Sequence, residues 1–284
     1  MKVLIVGKSG FLGTSLENYF LKKGYNVYAL SYRPELADEF STKLQKLISS
    51  KKINIIINAS ADQNPKDELD DLENLISSNI YLPCILSKSL LLEGDGLLIN
   101  FGSSWEYLED KISPYNAYAA SKSAINNFFK HFSLKGINIA SLALSDTYGF
   151  GDKRKKILNL MINALKNNKQ LEMTGGNQEI DLVHVDDVCL AVEHVILNKT
   201  KLFLHDNFQT FRIASGERLK VRELVELFYS LSKKNSQNNL FKLGIRDYHE
   251  RERFNLEFFT PNLPGWKPFK KLKSELKRML DYKK

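Results

Sequence analysis

Lys2-Val-Leu-Ile-Val6, running into Gly7-Lys-Ser-Gly10-Phe-Leu-Gly13, decides the fold of this chain. The apolar run predicts a short buried strand, the glycines a turn, and the residues to about Lys23 an amphipathic helix. Glycine permits a tight turn and close approach of the backbone to a pyrophosphate. The N-terminus of the following helix offers N–H groups and partial positive charge. Gly7, Ser9, Gly10, Phe11, Leu12 and Gly13 are therefore candidate dinucleotide contacts. The spacing is GxxGxxG rather than GxGxxG, and a plain strand-to-helix turn is the competing reading.

Outward from this unit the pattern repeats. A second strand, Asn26–Leu30, ends in Ser31-Tyr32-Arg33, where an acid would favour NAD and repel a ribose phosphate. Serine with a nearby guanidinium favours NADP(H) over NAD(H), although Arg33 is also an ordinary kind of surface arginine before Pro34. Ser41 is read as the cap of a helix running to about Ser50, and Ile53–Asn58 as a strand buried on both faces. Small residues at its end, Ala59 and Ala61, leave room for a cofactor or simply pack a loop. Asp67 to Leu92 reads as a helix that Asn79 and Pro83 bend or break. Strands at Leu97–Phe101 and Asn138–Leu144 flank a helix from Tyr118 to about Leu134. Strands and helices alternating at this length predict an α/β fold with a doubly wound parallel sheet.

The chemistry-bearing stretch is Asn100-Phe-Gly-Ser-Ser-Trp-Glu-Tyr107 with Tyr118-Ala-Ala-Ser-Lys122. Tyr118 and Lys122, four apart, share one helix face. An ammonium about 4 Å from a phenol, at an effective dielectric of about 20, favours the phenolate by roughly 4 kcal/mol. Such a tyrosine exchanges protons near neutrality. Ser104 follows a buried strand, at the end where open α/β sheets carry their sites.

The chain has 284 residues, is 43% hydrophobic and carries a formal charge of +8. Its lysines are spread out and densest in the tail, which suits anionic ligands. A nucleic-acid reading would rest on the pI of about 9.2 alone, without a basic stripe of interleaved aromatics. The two cysteines, Cys84 and Cys189, lack metal-ligand or disulfide spacing, so the expectation is a reduced, cytoplasmic protein with no metal. The first apolar run is too short for a signal or membrane-spanning segment. The polar run Lys233–Asn239 reads as a surface loop.

Together, Gly7, Gly10 and Gly13, the Asn58-Ala-Ser-Ala61 strand end, Ser104 and Tyr118-x-x-x-Lys122 resemble the extended short-chain dehydrogenase/reductases, in particular the nucleotide-sugar epimerases, dehydratases and ketoreductases. Ser145-Asp-Thr-Tyr-Gly149, Asp181-Leu-Val-His-Val-Asp-Asp-Val188, Ala214-Ser-Gly216 and Pro264-Gly-Trp-Lys-Pro268 extend the resemblance over nearly the whole chain. It implies a Rossmann domain with a smaller C-terminal substrate lobe. It also implies Tyr118 as proton donor or acceptor, Lys122 as its partner and ribose ligand, and Ser104 as the hydroxyl holding the carbonyl oxygen, with Ser103 as rival.

Departures from the family pattern narrow the expected reaction. Dehydratases commonly pair two acids where this chain has Ser104-Trp105-Glu106, and hydride-returning epimerases usually keep the acid after the second strand. What remains is NADPH-dependent reduction of a 4-keto-6-deoxy sugar on a nucleoside diphosphate, for surface-polysaccharide sugars. The alternatives are an NAD-dependent epimerase or dehydratase and a non-catalytic dinucleotide-binding sensor or scaffold. The expected layout is a dinucleotide domain at 1–150 with a return segment at about 179–200, and a substrate lobe at 151–178 and 201–284. Glu106, Asp146, Lys153, Arg154 and Arg253 are the candidate substrate contacts. Cations clustered at Lys153–Lys156 before a helix suit a diphosphate, or are a solvated surface. A homodimer is compatible with these expectations, which include no nucleic-acid or membrane partner.

Overall fold

The computed structural model describes residues 1–66, 68–94, 96–108, 111–232, 239–257 and 259–282. The expected polar loop at 233–238 and the helix start expected at Asp67 lie outside the described residues. In chain order the elements are β1 (Lys2–Val6), α1 (Phe11–Lys22), β2 (Asn26–Leu30), α2 (Ala37–Lys51), β3 (Ile55–Asn58), α3 (Leu69–Ile76), α4 (Leu82–Leu91) and β4 (Leu97–Ser103). Next come β5 (Tyr107–Leu108), β6 (Lys111–Ile112), α5 (Ala117–Ser133), β7 (Asn138–Leu144), β8 (Asp146–Tyr148), α6 (Ile157–Asn167), β9 (Leu171–Glu172) and β10 (Glu179–His184). The chain continues with α7 (Val185–Leu197), α8 (Lys199–Leu202), β11 (Phe208–Ile213), β12 (Arg218–Lys220), α9 (Val221–Leu231), β13 (Phe241–Lys242) and α10 (Leu272–Asp281).

Six parallel strands in the order β11-β7-β4-β3-β1-β2 form the main sheet. The order reverses between β1 and β3, and a doubly wound sheet opens its ligand crevice at the carboxyl ends of such a pair. The Gly7 turn and the Asn58–Ala61 segment leave the sheet at those ends. Val3, Leu4, Ile5, Val6, Ile56, Ile57, Leu97, Leu98 and Ile99 are wholly buried, as strands covered by helices on both faces require. On the free side of β11, the Pro261 carbonyl accepts the Arg212 N–H at 2.7 Å and the Asn262 side chain accepts its guanidinium.

One local difference has a simple cause. Pro34 opens a 3-10 turn, Pro34–Leu36, from which α2 follows at once, so Ser41 lies inside that helix rather than capping it. The helix before Leu92 breaks, as its Asn79 and Pro83 lead one to expect, at a π turn, Ser77–Tyr81, between α3 and α4. There Asn79, buried, turns its amide to neighbouring segments.

The chain divides into two compact units: Met1–Leu144, Val188–Ile213 and Phe258–Lys267 form the first, and Ser145–Asp187, Ala214–Glu257 and Pro268–Lys284 the second. These bounds differ from the sequence expectation in four places, the first being residues 145–150, which belong to the second unit. Phe208–Ile213 joins the first unit because it pairs with β7 along its whole length. The segment from 259 to 267 goes with it. The block at 179–187 belongs to the second unit because β10 pairs with β8 and β12. The second unit packs its own core from Met161, Leu165, Leu224, Phe228 and Leu276.

Candidate active site

The glycine turn divides its labour. Gly7 adopts φ +89, and a Cβ there would stand 2.5 Å from the Ser60 backbone N. A Cβ on Gly13 would stand 2.1 Å from the Gly7 carbonyl. Both glycines are required by the protein's own packing. Gly10 is different: it caps α1 with φ −76, and the nearest atom to an added Cβ is 3.6 Å away, an ordinary contact. Its bare, exposed face leaves room for an approaching ligand. The first turn of α1 has no acidic residue and no side-chain cap, which suits an anion at its positive end. Ser9 is exposed, and Phe11 and Leu12 are half-buried on this turn. This cradle fits a dinucleotide pyrophosphate.

Ala59 and Ala61 are half-buried at the end of β3, with the Ala59 N–H bonded to the Val6 carbonyl at 2.8 Å. Beneath them, Asn58 donates to Asn100 at 2.8 Å, fixing the ends of β3 and β4 side by side. Arg33 is exposed just past β2, and its guanidinium makes no hydrogen bond or ion pair with the described residues.

At the end of β4, Ser103 caps a single 3-10 turn, Ser104–Glu106, its hydroxyl accepting the Trp105 N–H at 3.2 Å. Ser104 is the half-buried first residue of that turn. Asn116 caps α5 by accepting the Ala119 N–H at 2.9 Å, which sets half-buried Tyr118 in the first turn. Lys122, one turn on, is 3% exposed, and its Nζ lies 5.9 Å from the centre of the Tyr118 ring. Burial pulls the Lys122 ammonium down to about 8, against the opposing pull of the Glu106 charge.

Glu106, expected to meet substrate, is turned inward. It is 2% exposed; one carboxylate oxygen accepts the Ser103 N–H at 2.6 Å and the other the Asn126 side-chain N–H at 3.1 Å. Burial pushes it up to about 7. The cause of the correction is the 3-10 turn, which folds position 106 back onto the cap at 103.

Sequence reasoning missed four supports, Asn79, Ser121, Asn126 and Gly102. Asn79 donates to the Asp62 carbonyl and to the Ser121 hydroxyl, both at 2.9 Å, and accepts the Asp62 N–H at 3.1 Å. Ser121 in turn donates to the Tyr118 carbonyl at 2.7 Å. The loop after β3, the π turn and α5 are thereby tied together. Asn126 holds Glu106, and Gly102 makes room for it: a Cβ there would lie 2.6 Å from a Glu106 oxygen. An asparagine inside an apolar helix was the available signal for Asn79, because buried amides need partners.

The second unit treats its candidate residues differently. Arg154 places its Nε and one terminal nitrogen on the two Asp152 oxygens, at 2.8 and 2.9 Å, and the same nitrogen on the Thr147 carbonyl and hydroxyl at 2.9 Å. Asp146 pairs with Lys156 at 3.4 Å. Lys153 is exposed, and Arg253 is half-buried with its carbonyl accepting the Glu179 N–H at 3.2 Å. Arg154 was expected to offer its fork to a diphosphate; the fork is occupied by an aspartate two residues away. Asp181 and Asp187 each accept two successive backbone N–H groups, those of Ser215 and Gly216 and those of Phe269 and Lys270. The resembling block thus organises loops of its own unit.

Among the described residues, no cluster of His, Cys, Asp or Glu could hold a metal ion, and no helix is long and apolar enough to cross a membrane.

A glycine turn at the switch point of a parallel sheet, with a tyrosine–lysine pair beside the next strand ends, defines a Rossmann-type dinucleotide-dependent enzyme. Residues 3–205 match the model of the NAD dependent epimerase/dehydratase family, and the chain belongs to that family. It is 26% identical over 237 residues to a CDP-abequose synthase of Yersinia pseudotuberculosis, covering 79% of this chain and 82% of the relative. To the CDP-abequose synthase of Salmonella muenchen it is 23% identical over 99% of this chain and 98% of that one. Its fold matches that of the UDP-glucuronic acid 4-epimerase of Bacillus cereus, solved with UDP-glucuronic acid and NAD, with a TM-score of 0.81, 17% identity and coverage of 99% and 98%.

Proposed function

We propose that this protein reduces a 4-keto-6-deoxy sugar carried on a nucleoside diphosphate, at the expense of NADPH, to make a sugar of a surface polysaccharide. Relatives named for a CDP-linked sugar favour cytidine as the base. The observation that carries the reduction is the polarity of the β4 end. From residue 100 to 108 the only carboxylate is Glu106, which is buried, and Trp105 packs edge-on against Tyr115 at 4.7 Å where a second acid would serve elimination. Proton transfer then falls to Tyr118.

When bound, the reduced nicotinamide supplies a hydride to the keto carbon. Tyr118 Oη gives its proton to the carbonyl oxygen, which becomes the hydroxyl, and Ser104 Oγ holds that oxygen by donating to it. Lys122 stabilises the phenolate left behind, which solvent reprotonates. Gly7, Ser9, Gly10, Phe11, Leu12 and Gly13 cradle the pyrophosphate, Ala59 and Ala61 border its path, and Arg33 pairs with the ribose phosphate. The second unit binds the nucleotide sugar through Lys153 and Arg253.

Purified protein given NADPH and CDP-, dTDP-, UDP- and GDP-linked 4-keto-6-deoxy sugars should form one NADP⁺ per reduced sugar, fastest with CDP. Tyr118→Phe should keep cofactor binding and lose about 10²–10⁴-fold in rate. Product formed without NADPH, with tightly held NAD released on denaturation, would replace this reading by an epimerase or dehydratase. No turnover of any of these sugars would favour a non-catalytic dinucleotide sensor.

A further inference from the structure

Glu106 is buried, and three features of the fold converge to keep its carboxylate there. Ser103 N–H holds one oxygen at 2.6 Å, Asn126 holds the other at 3.1 Å, and Gly102 lacks the Cβ that would collide with it at 2.6 Å. Asn126 sits one turn beyond Lys122 on the same face of α5, so the carboxylate that Asn126 holds lies on the side of the helix that carries the lysine. A buried carboxylate costs free energy unless something answers its charge, and so does a buried ammonium. Here each is the other's opposite charge. We infer that Glu106 is a positioning residue whose carboxylate keeps the Lys122 ammonium charged and in place beneath Tyr118, and that it never touches the sugar.

This inference rests on the Tyr118–Lys122 reading above and goes beyond it by assigning a second layer to the proton-transfer pair. Burial depresses Lys122 and the Glu106 charge lifts it, while burial raises Glu106 and the Lys122 charge lowers it. The other titratable groups facing the pair, among the described residues, are Tyr118 on α5 and Tyr107 after the 3-10 turn. Burial pushes Tyr107 up to about 12, with the Glu106 charge adding to the effect. Asn126, Ser103 and Asn79 are neutral. The ammonium is present below the Lys122 pKa and lost as pH rises through it. Taking away the negative charge at 106 lowers that pKa, so the alkaline limb of the rate profile moves to lower pH.

The test is the pH dependence of kcat for NADPH and the CDP-linked 4-keto sugar in the wild type, Glu106→Gln and Asn126→Ala, with NADPH binding measured by fluorescence. Glu106→Gln should bind NADPH within about twofold and keep substantial turnover at its optimum, with its alkaline limb shifted down by about one pH unit or more. Asn126→Ala, which removes a donor that favours the charged Glu106 carboxylate, should shift the limb down by less and serves as the test if the glutamine variant does not fold. An unchanged limb in both variants overturns the inference. So does a Glu106→Gln variant that binds NADPH normally but is inactive at every pH, because the carboxylate would then act on the substrate itself. Retained turnover in Tyr118→Phe would instead remove the reading on which the inference stands, so the two failures are distinguishable.

Discussion

The glycine turn at 7–13 and the cationic segment at 153–156 carry the same sequence-level signal, an anion site at the start of a helix, and the structure treats them in opposite ways. In the first, the anion-facing groups are backbone N–H groups and a helix end, which no side chain of the turn neutralises. In the second, the strongest cation is spent locally: Arg154 closes on Asp152 and Thr147, and Lys156 on Asp146. A site built from backbone is legible from glycines because their spacing is the site. A site built from charged side chains depends on which acids lie within reach, and spacing alone does not reveal that. The comparison can be broken or sharpened by substitution.

The largest effect belongs to Gly13→Ala. With a Cβ 2.1 Å from the Gly7 carbonyl, it should lose about 1–3 kcal/mol or more of stability by denaturant unfolding. Gly10→Ala should unfold like the wild type yet bind NADPH about tenfold more weakly, because its Cβ meets only the ligand. If both behave alike, the turn does not divide its labour as described. Next comes Arg154→Ala, which leaves the buried Asp152 carboxylate without its fork. It should cost about 1–3 kcal/mol by thermal unfolding while moving the KM for the nucleotide sugar less than twofold. A large rise in KM with unchanged stability would return Arg154 to the substrate site. The smallest and most selective effect is that of Arg33→Ala, which should weaken NADPH about tenfold and leave NADH within about twofold by fluorescence titration. Equal loss for both would make Arg33 a bystander.

Much of the first unit was readable in advance because it follows local rules. The β1 strand, its glycines, the buried Ile-rich β3 and the Tyr118–Lys122 helix all announce themselves by period and residue type. What escaped depends on partners distant in sequence. Glu106 looks solvent-facing until Asn126, twenty residues on, and the Ser103 cap claim its oxygens. Asn79 looks like a helix breaker until the Ser121 hydroxyl and the Asp62 backbone answer its amide. Chain order past the return segment assigns Phe208–Ile213 to the smaller lobe, whereas its pairing with β7, about seventy residues earlier, puts it in the main sheet. Asn79 and Pro83 announce a break in the helix before Leu92, but not that it takes the form of a π turn.

Pro261 gives the outer edge of the main sheet a further property. An edge strand is a template onto which another chain can add, since its N–H and C=O groups point outward unpaired. On β11 the segment that covers this edge takes the Arg212 N–H with a carbonyl belonging to proline, a residue with no N–H of its own to offer. The ladder receives a partner there but is handed no donor at that residue to continue it. The pairing is accordingly confined to a single parallel bridge, Arg212 with Asn262, and that segment covers the edge of β11 there without adding a seventh strand.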